Sequence, residues 1–211
     1  MRAQSSVISL VMIAGIIIAL VGAAYVWAVP LIEKRMTVTD YDLVERFMLD
    51  LDSKIVSIAN SGSGTERLEI PRGKMTLFPY NYAGAPNNTI SLDFTVSQPL
   101  ITEGAMIPIK TTSLDAVGEY GKTESRIITL SRVPGTNDIN LNMNMTYREL
   151  RSISPRGYII TLCPVTGFEA CQNTISGSNY ITVSYGGTEV VPREVVDGGP
   201  LTLTRIKVEV T

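Results

Sequence analysis

An uncharged apolar segment near the N-terminus constrains this chain more than any other feature. Between Ser5 and Ile32 the only ionisable side chain is that of Tyr25. The stretch from Val7 to Ile32 exceeds the roughly 20 apolar residues that a helix needs to cross a bilayer. A cleaved secretory signal has a shorter apolar core, of about 7–15 residues, before a small-residue cleavage site. The segment is therefore expected to stay on the protein as a membrane-inserted helix, and hydropathy alone favours an ordinary single-pass anchor.

The helix is expected to continue beyond the apolar segment, because apolar residues recur at steps of three and four and form a stripe on one face. This stripe consists of Leu43, Val44, Phe47, Met48, Leu51, Ile55 and Ile58. We predict a helical rod from about Ser6 to Ala59, roughly 80 Å long at 1.5 Å per residue. Pro30 could bend it, and Thr39 or Asp40 could cap a fresh start. We expect the stripe to pack partly on the rest of the chain and partly on neighbouring rods, with packing inside the chain alone as the simpler alternative.

After the rod, the hydrophobic period changes to two. The stretch Asn60–Gly64 has the asparagine and glycine residues that are typical of a helix end. Period-two segments follow, among them Ile139–Tyr147 and Leu201–Val210, and we expect a turn at Gly186 and Gly187. Short strands separated by turn residues indicate a β-sandwich or a barrel-like domain. The predicted fold class is α+β, with a long N-terminal hydrophobic helix followed by an antiparallel β-sandwich-like head domain.

Composition narrows the possible functions. The net charge of -2 offers no basic surface for nucleic acid, so no nucleic-acid partner is expected. The chain has no histidine, which removes the commonest general base and the commonest metal ligand. No nucleotide-binding or nucleophile motif is present in the sequence. We therefore predict no enzyme activity, no cofactor, and no catalytic, cofactor-binding or metal residue. A carboxylate pair assembled from distant residues is the alternative that stays open.

The extreme N-terminus carries the most specific motif. Directly before the apolar run, Arg2-Ala3-Gln4 resembles the class III signal of archaeal prepilins and archaellins, in which a basic and a small residue precede the scissile bond. The resemblance implies that a prepilin peptidase cuts on the cytoplasmic side, with Arg2 as the basic residue, Ala3 as the small residue and Gln4 as the first mature residue. Residues 1–3 would then be the leader, 4–61 the transmembrane and filament-core helix, and 62–211 the extracellular head. The stretch Lys54–Gly73 is similar to the junction between rod and head in such proteins.

This resemblance implies a structural subunit of an archaeal type IV-like pilus, which polymerises through its N-terminal helix into a surface filament for adhesion. Its partners would be other pilin subunits, the prepilin peptidase, the membrane before assembly, and the S-layer or another surface. One alternative is an accessory pilin-like or archaellum stator-type protein whose β-domain binds the S-layer. Another is a membrane-anchored enzyme or solute-binding domain.

Four residues of the apolar run are predicted to serve assembly: Gly15, Ile16, Leu20 and Gly22. The two glycines lie one heptad apart and would permit close approach between helices, although glycine is also simply common in membrane helices.

Two further features concern the head. Cys163 and Cys171 are predicted to form one disulfide that closes a small loop, with two free thiols as the alternative. Asn87 and Asn144 begin N-glycosylation acceptor triplets. Asn87 is expected in a loop, whereas Asn144 falls in a candidate strand.

Overall fold

The structure is a computed structural model that describes residues 2–135, 139–164, 171–194 and 199–211, with the side chains described from residue 10 onward. Within these ranges one helix, α1 (Arg2–Ser61), precedes twelve strands. The strands are β1 (Thr65–Glu69), β2 (Lys74–Phe78), β3 (Thr89–Val96), β4 (Met106–Pro108), β5 (Val117–Glu119), β6 (Arg126–Arg132), β7 (Ile139–Tyr147), β8 (Glu149–Arg151), β9 (Gly157–Pro164), β10 (Ile175–Gly177), β11 (Tyr180–Val191) and β12 (Leu201–Val210).

The strands form two six-stranded sheets. The order in the first sheet is β1-β11-β12-β9-β8-β5, and the order in the second is β10-β2-β3-β7-β6-β4. All pairs are antiparallel except β9 with β12 and β5 with β8, which are parallel. The predicted α+β class, a long apolar helix followed by a mostly antiparallel β-domain, is therefore confirmed.

Strand β7 shows how the sequence pattern produces this arrangement. Its apolar residues Leu141, Met143, Met145 and Tyr147 are buried, while the asparagines between them are only half-buried. Because successive side chains of a strand point to opposite faces, this alternation fixes which face of the second sheet meets the core. The bounds of β7 and β12 are those that the period of two predicts.

The predicted turn at Gly186 and Gly187 is wrong. Strand β11 passes through both residues, and its register with β12 shifts between Tyr185 and Gly187. Gly187 has a φ of 109°, a conformation that glycine adopts without steric cost. The glycine pair therefore makes a β-bulge, which bends a strand without ending it.

The alternative of a fresh helix start at Thr39 or Asp40 does not occur, since α1 is continuous and includes Pro30, as the predicted single rod requires. The Thr39 hydroxyl donates to the backbone carbonyl of Arg35 one turn earlier, as side chains within a helix do. Asp40 forms an ion pair with Arg72, in the connection between β1 and β2. Both polar side chains thus have partners that do not require a helix end.

One hydrophobic core holds the two sheets and the C-terminal half of the helix together. Val44, Met48, Leu51 and Ile55 of α1 are fully buried and belong to the same cluster as the inward-facing residues of both sheets. Burying a side chain of this size contributes about 1.5–3 kcal/mol. The second half of α1 is therefore a structural part of the head, which leaves the first half outside it.

Candidate assembly helix and its junction with the head

The first half of α1 projects from the head as an apolar rod, here called the stem and comprising residues 10–27. Its large side chains are exposed, with Ile16 at 57%, Leu20 at 65% and Trp27 at 74%. An 18-residue window of this helix has a mean hydropathy of 2.5, and none of the window is buried. By length and composition the helix can cross a membrane, and in the described chain it is the one helix that can.

The four predicted assembly residues all lie on the stem, on two adjacent faces. Gly15 and Gly22 are seven residues apart and so lie about 20° from each other around the helix, whereas Ile16 and Leu20 point about 100–140° away from Gly15. A Cβ added at either glycine would have no atom within 4 Å in the described structure. The glycine face is therefore flat and open, with room for another helix to approach.

The head covers one side of the rest of the helix, which we call the docked segment and define as residues 33–58. Of the predicted apolar stripe, Val44, Met48, Leu51, Ile55 and Ile58 are buried against the sheets, and Phe47 is partly buried. Leu43 remains 46% exposed. Packing inside the chain therefore accounts for most of the stripe.

The contact between helix and head begins at Gln98, which follows β3. The Gln98 side-chain amide donates to the backbone carbonyl of Pro30 at 3.3 Å and to the Glu33 carboxylate at 3.3 Å. The Gln98 backbone N–H donates to the hydroxyl of Thr37, which is 1% exposed. These three bonds mark the level at which the stem ends and the docked segment begins.

The centre of the docked segment carries a nearly buried ion pair. Asp52 accepts from Arg126 Nε at 2.8 Å through one carboxylate oxygen and from the Tyr147 hydroxyl at 2.9 Å through the other. The side chains of Asp52 and Arg126 are only 14% and 11% exposed. Burial raises the pKa of Tyr147 well above its usual value, and the neighbouring charge of Asp52 adds to this effect. The phenol therefore stays protonated and remains a donor to Asp52.

Weaker ion pairs lie at the rim of the junction. Lys110 contacts Glu45 at 2.9 Å, and Lys54 contacts Glu66 at 3.4 Å. One side chain of each pair is substantially exposed, Lys110 in the first and Glu66 in the second, and pairs of this kind contribute about 0–1 kcal/mol. Apolar burial therefore holds the helix. Burial also raises the pKa of Asp52, and Arg126 partly compensates by lowering it.

Spacing in the sequence offered no signal for the residues that hold the helix. Asp52 and Arg126 are 74 residues apart, and Thr37 and Gln98 are 61 residues apart. Contacts of this kind depend on where the sheets place β3 and β6 beside the helix. The hydrophobic periodicity of the sequence carries no information about such long-range contacts.

The predicted disulfide is confirmed, because the structure joins Cys163 at the end of β9 to Cys171. Residues 165–170 of the enclosed loop lie outside the described residues. Disulfides persist in oxidising compartments, so this bond favours an oxidising environment for the head.

The predicted modification and processing sites keep their status as predictions. Asn87 is exposed in the loop before β3, whereas Asn144 is half-buried in the middle of β7. Arg2, Ala3 and Gln4 form the first turn of α1, and their side chains lie outside the described residues, as does all of Met1.

In the described ranges no group of three or more His, Cys, Asp or Glu side chains could hold a metal ion. Comparison with known protein families, with curated proteins and with solved structures finds no match.

Proposed function

We propose that this chain is a structural subunit of an archaeal type IV-like pilus, which polymerises through its N-terminal helix into a surface filament for adhesion. The observation that carries the proposal is the stem, which is apolar on every side and makes no buried contact with the head. A helix that is hydrophobic all round belongs in lipid or among other helices. The stem accordingly needs a partner outside its own chain.

A bundle of identical stems can replace lipid around the helix. An α-helix satisfies its own backbone hydrogen bonds, so it can leave the bilayer for a helix bundle without stranding polar groups. The open face of Gly15 and Gly22 supports close packing of such helices. The stem would thus serve as a membrane anchor before assembly and as the filament core afterwards.

The remaining parts of the chain fit this scheme. The disulfide supports a head outside the cell, where it would face solvent and meet a surface or an S-layer. Cleavage by a prepilin peptidase between Ala3 and Gln4 would leave a free amine at the tip of the helix. N-terminal mass spectrometry of sheared filaments should find Gln4 as the first residue, and an intact Met1 in assembled material would contradict the cleavage.

The polymerisation itself is tested by placing a charge in the stem. Ile16→Lys and Leu20→Asp should abolish filaments, because a desolvated charge without a partner costs several kcal/mol. The matched control is Thr182→Lys, on the half-buried outward face of β11, which should leave filament number unchanged.

Failed membrane insertion would imitate failed assembly, so each variant must first be shown to reside in the membrane with a processed N-terminus. Filaments are then counted by electron microscopy. Normal filaments with a charge at position 16 or 20 would refute the proposal. The helix would then be only an anchor, and the chain would be an accessory pilin-like or stator-type protein.

A further inference from the structure

The side of the docked segment that faces away from the head carries a row of charged residues. Around the axis of α1, Arg35, Asp42 and Asp50 lie within about 40° of Arg46, whereas the buried Val44, Met48, Leu51 and Ile55 lie about 140–180° from it. All four charged residues are exposed. We call Arg35, Asp42, Arg46 and Asp50 the charged stripe.

Most of the charged stripe has no partner inside its own chain. Asp50 lies 3.8 Å from Lys54, but no side chain of opposite charge in the described ranges lies within 4 Å of Arg35, Asp42 or Arg46. Asp42 and Arg46 are four residues apart, a spacing that favours a pair along a helix, and they still do not form one. These charges are therefore available to a partner.

The order of the charges identifies the partner. Along the stripe the signs alternate, positive, negative, positive and negative, so the net charge is zero. A surface of a single sign, such as anionic lipid headgroups, would attract half of the stripe and repel the other half. A second copy of the same helix matches the stripe when it is displaced along the axis.

We propose that a second copy of this chain docks parallel to the charged stripe with an axial offset of four or seven residues. An offset of four residues, about 6 Å, places Asp42 opposite Arg46 and Arg46 opposite Asp50. An offset of seven residues, about 10.5 Å, places Arg35 opposite Asp42. Without an axial offset, each charged residue lies opposite the same residue of the other copy. Like charges then meet, so this arrangement is disfavoured.

The apolar residues next to the stripe agree with the larger offset. Leu31 and Val38 are 44% and 43% exposed on the same side of the helix as Arg35. They lie seven residues apart, so the offset that pairs Arg35 with Asp42 also brings Leu31 against Val38. The stripe is continuous with the stem, and one neighbouring copy can contact both. This inference rests on the proposed function and adds to it the relative position of neighbouring subunits.

The test uses the full-length, membrane-inserted chain and two kinds of charge change. Asp42→Arg leaves three basic residues in succession along the stripe, so it replaces an attraction by a repulsion at either offset, with Arg46 at four residues and with Arg35 at seven. The inverted variant combines Arg35→Glu, Asp42→Arg, Arg46→Glu and Asp50→Arg. It keeps the alternation, so it should dock on itself but not on the native chain. Because it contains the same Asp42→Arg change, its recovery would exclude misfolding as the cause of the single variant's defect.

Association is measured by co-expressing two differently tagged copies and quantifying co-purification in mild detergent at low salt. We expect native copies to capture each other, and Asp42→Arg copies to do so about tenfold less. Inverted copies should capture each other as native ones do. Mixed pairs of native and inverted copies should be about tenfold reduced, and 0.5 M salt should weaken the native pair.

Four results would overturn the inference: no capture between native copies, equal capture between Asp42→Arg copies, no recovery in the inverted variant, or full capture between inverted and native copies. The proposed function fails in a different way. Native copies that associate through the stripe but form no filaments would contradict pilus assembly and leave the docking intact.

Discussion

Removing the cation of the nearly buried ion pair tests whether Asp52 and Arg126 fix the helix on the head. In Arg126→Met the Asp52 carboxylate keeps its hydrogen bond from Tyr147 but loses the guanidinium at 2.8 Å. Breaking a buried pair by removing one partner costs about 3–5 kcal/mol, because the other charge stays desolvated. Since both side chains retain a little solvent exposure, 14% and 11%, we expect the lower part of this range, about 3 kcal/mol at pH 7.

The assay is urea unfolding of a fragment comprising residues 32–211, followed by far-ultraviolet circular dichroism. This fragment keeps the docked segment and omits the stem, which makes no buried contact with the head. The double variant Asp52→Asn with Arg126→Met should recover more than half of the loss, because no charge then remains buried and the new amide oxygen at position 52 still accepts from Tyr147. Lys54→Met is the matched control, since it breaks an exposed pair of the same helix and should cost at most about 1 kcal/mol.

Unfolding measurements at low pH test the role of the Asp52 charge independently. At a pH low enough to protonate Asp52, the carboxyl group no longer carries the uncompensated charge, so the penalty of Arg126→Met should shrink relative to the native fragment. A loss below about 1 kcal/mol at pH 7, or a loss of equal size in the double variant, would refute the view that this pair controls docking.

Two further predictions concern the head alone. Hydrogen bonds from Arg193 lower the pKa of Glu149 against the opposing effect of burial, so the stability that Glu149 provides is present above its unfolded pKa and is lost as the pH falls through the folded one. Thermal melts between pH 6 and pH 3 should therefore decline less steeply for Glu149→Gln, and an unchanged slope would contradict this assignment. Gly73 has a φ of 91°, and a Cβ there would clash with the backbone carbonyl of Asp93, so Gly73→Ala should destabilise the fold by at least about 2 kcal/mol in urea titrations.

Local patterns predicted the elements well where one face of an element is buried along its whole length. The alternation in β7 fixed both its bounds and its inward face, since an inversion would have buried asparagine side chains. In β12 the period of two predicted the bounds, but the buried residues change from odd to even positions between Leu203 and Ile206. The helix was predicted equally well, because an uncharged apolar run followed by an apolar stripe at helical spacing is compatible with few structures other than a helix. The pairing of Cys163 with Cys171 followed from the presence of two cysteines near each other.

Local sequence did not decide between two structures where the same residues suit both. Gly186 and Gly187 can make a tight turn or a bulge, and the continuous pairing of β11 with β12 decided for the bulge. Thr39 and Asp40 could cap a helix, but the helix on either side is held by other contacts, Gln98 at Thr37 and the core at Val44. In both cases tertiary contacts outweighed the local preference. For a helix N-cap residue this preference is about 1 kcal/mol.

The division of α1 into two parts has a geometric consequence for any polymer of this chain. The stem has no side committed to the head, so copies can surround it completely. The docked segment has one side covered by sheets and the charged stripe on the other, so copies can approach it from one direction only. A polymer that satisfies both conditions places the stems at its centre and the heads on its outside. Because the disulfide and both sheets belong to the head, the proposed exchange of lipid for other stems would leave the fold of the head unchanged.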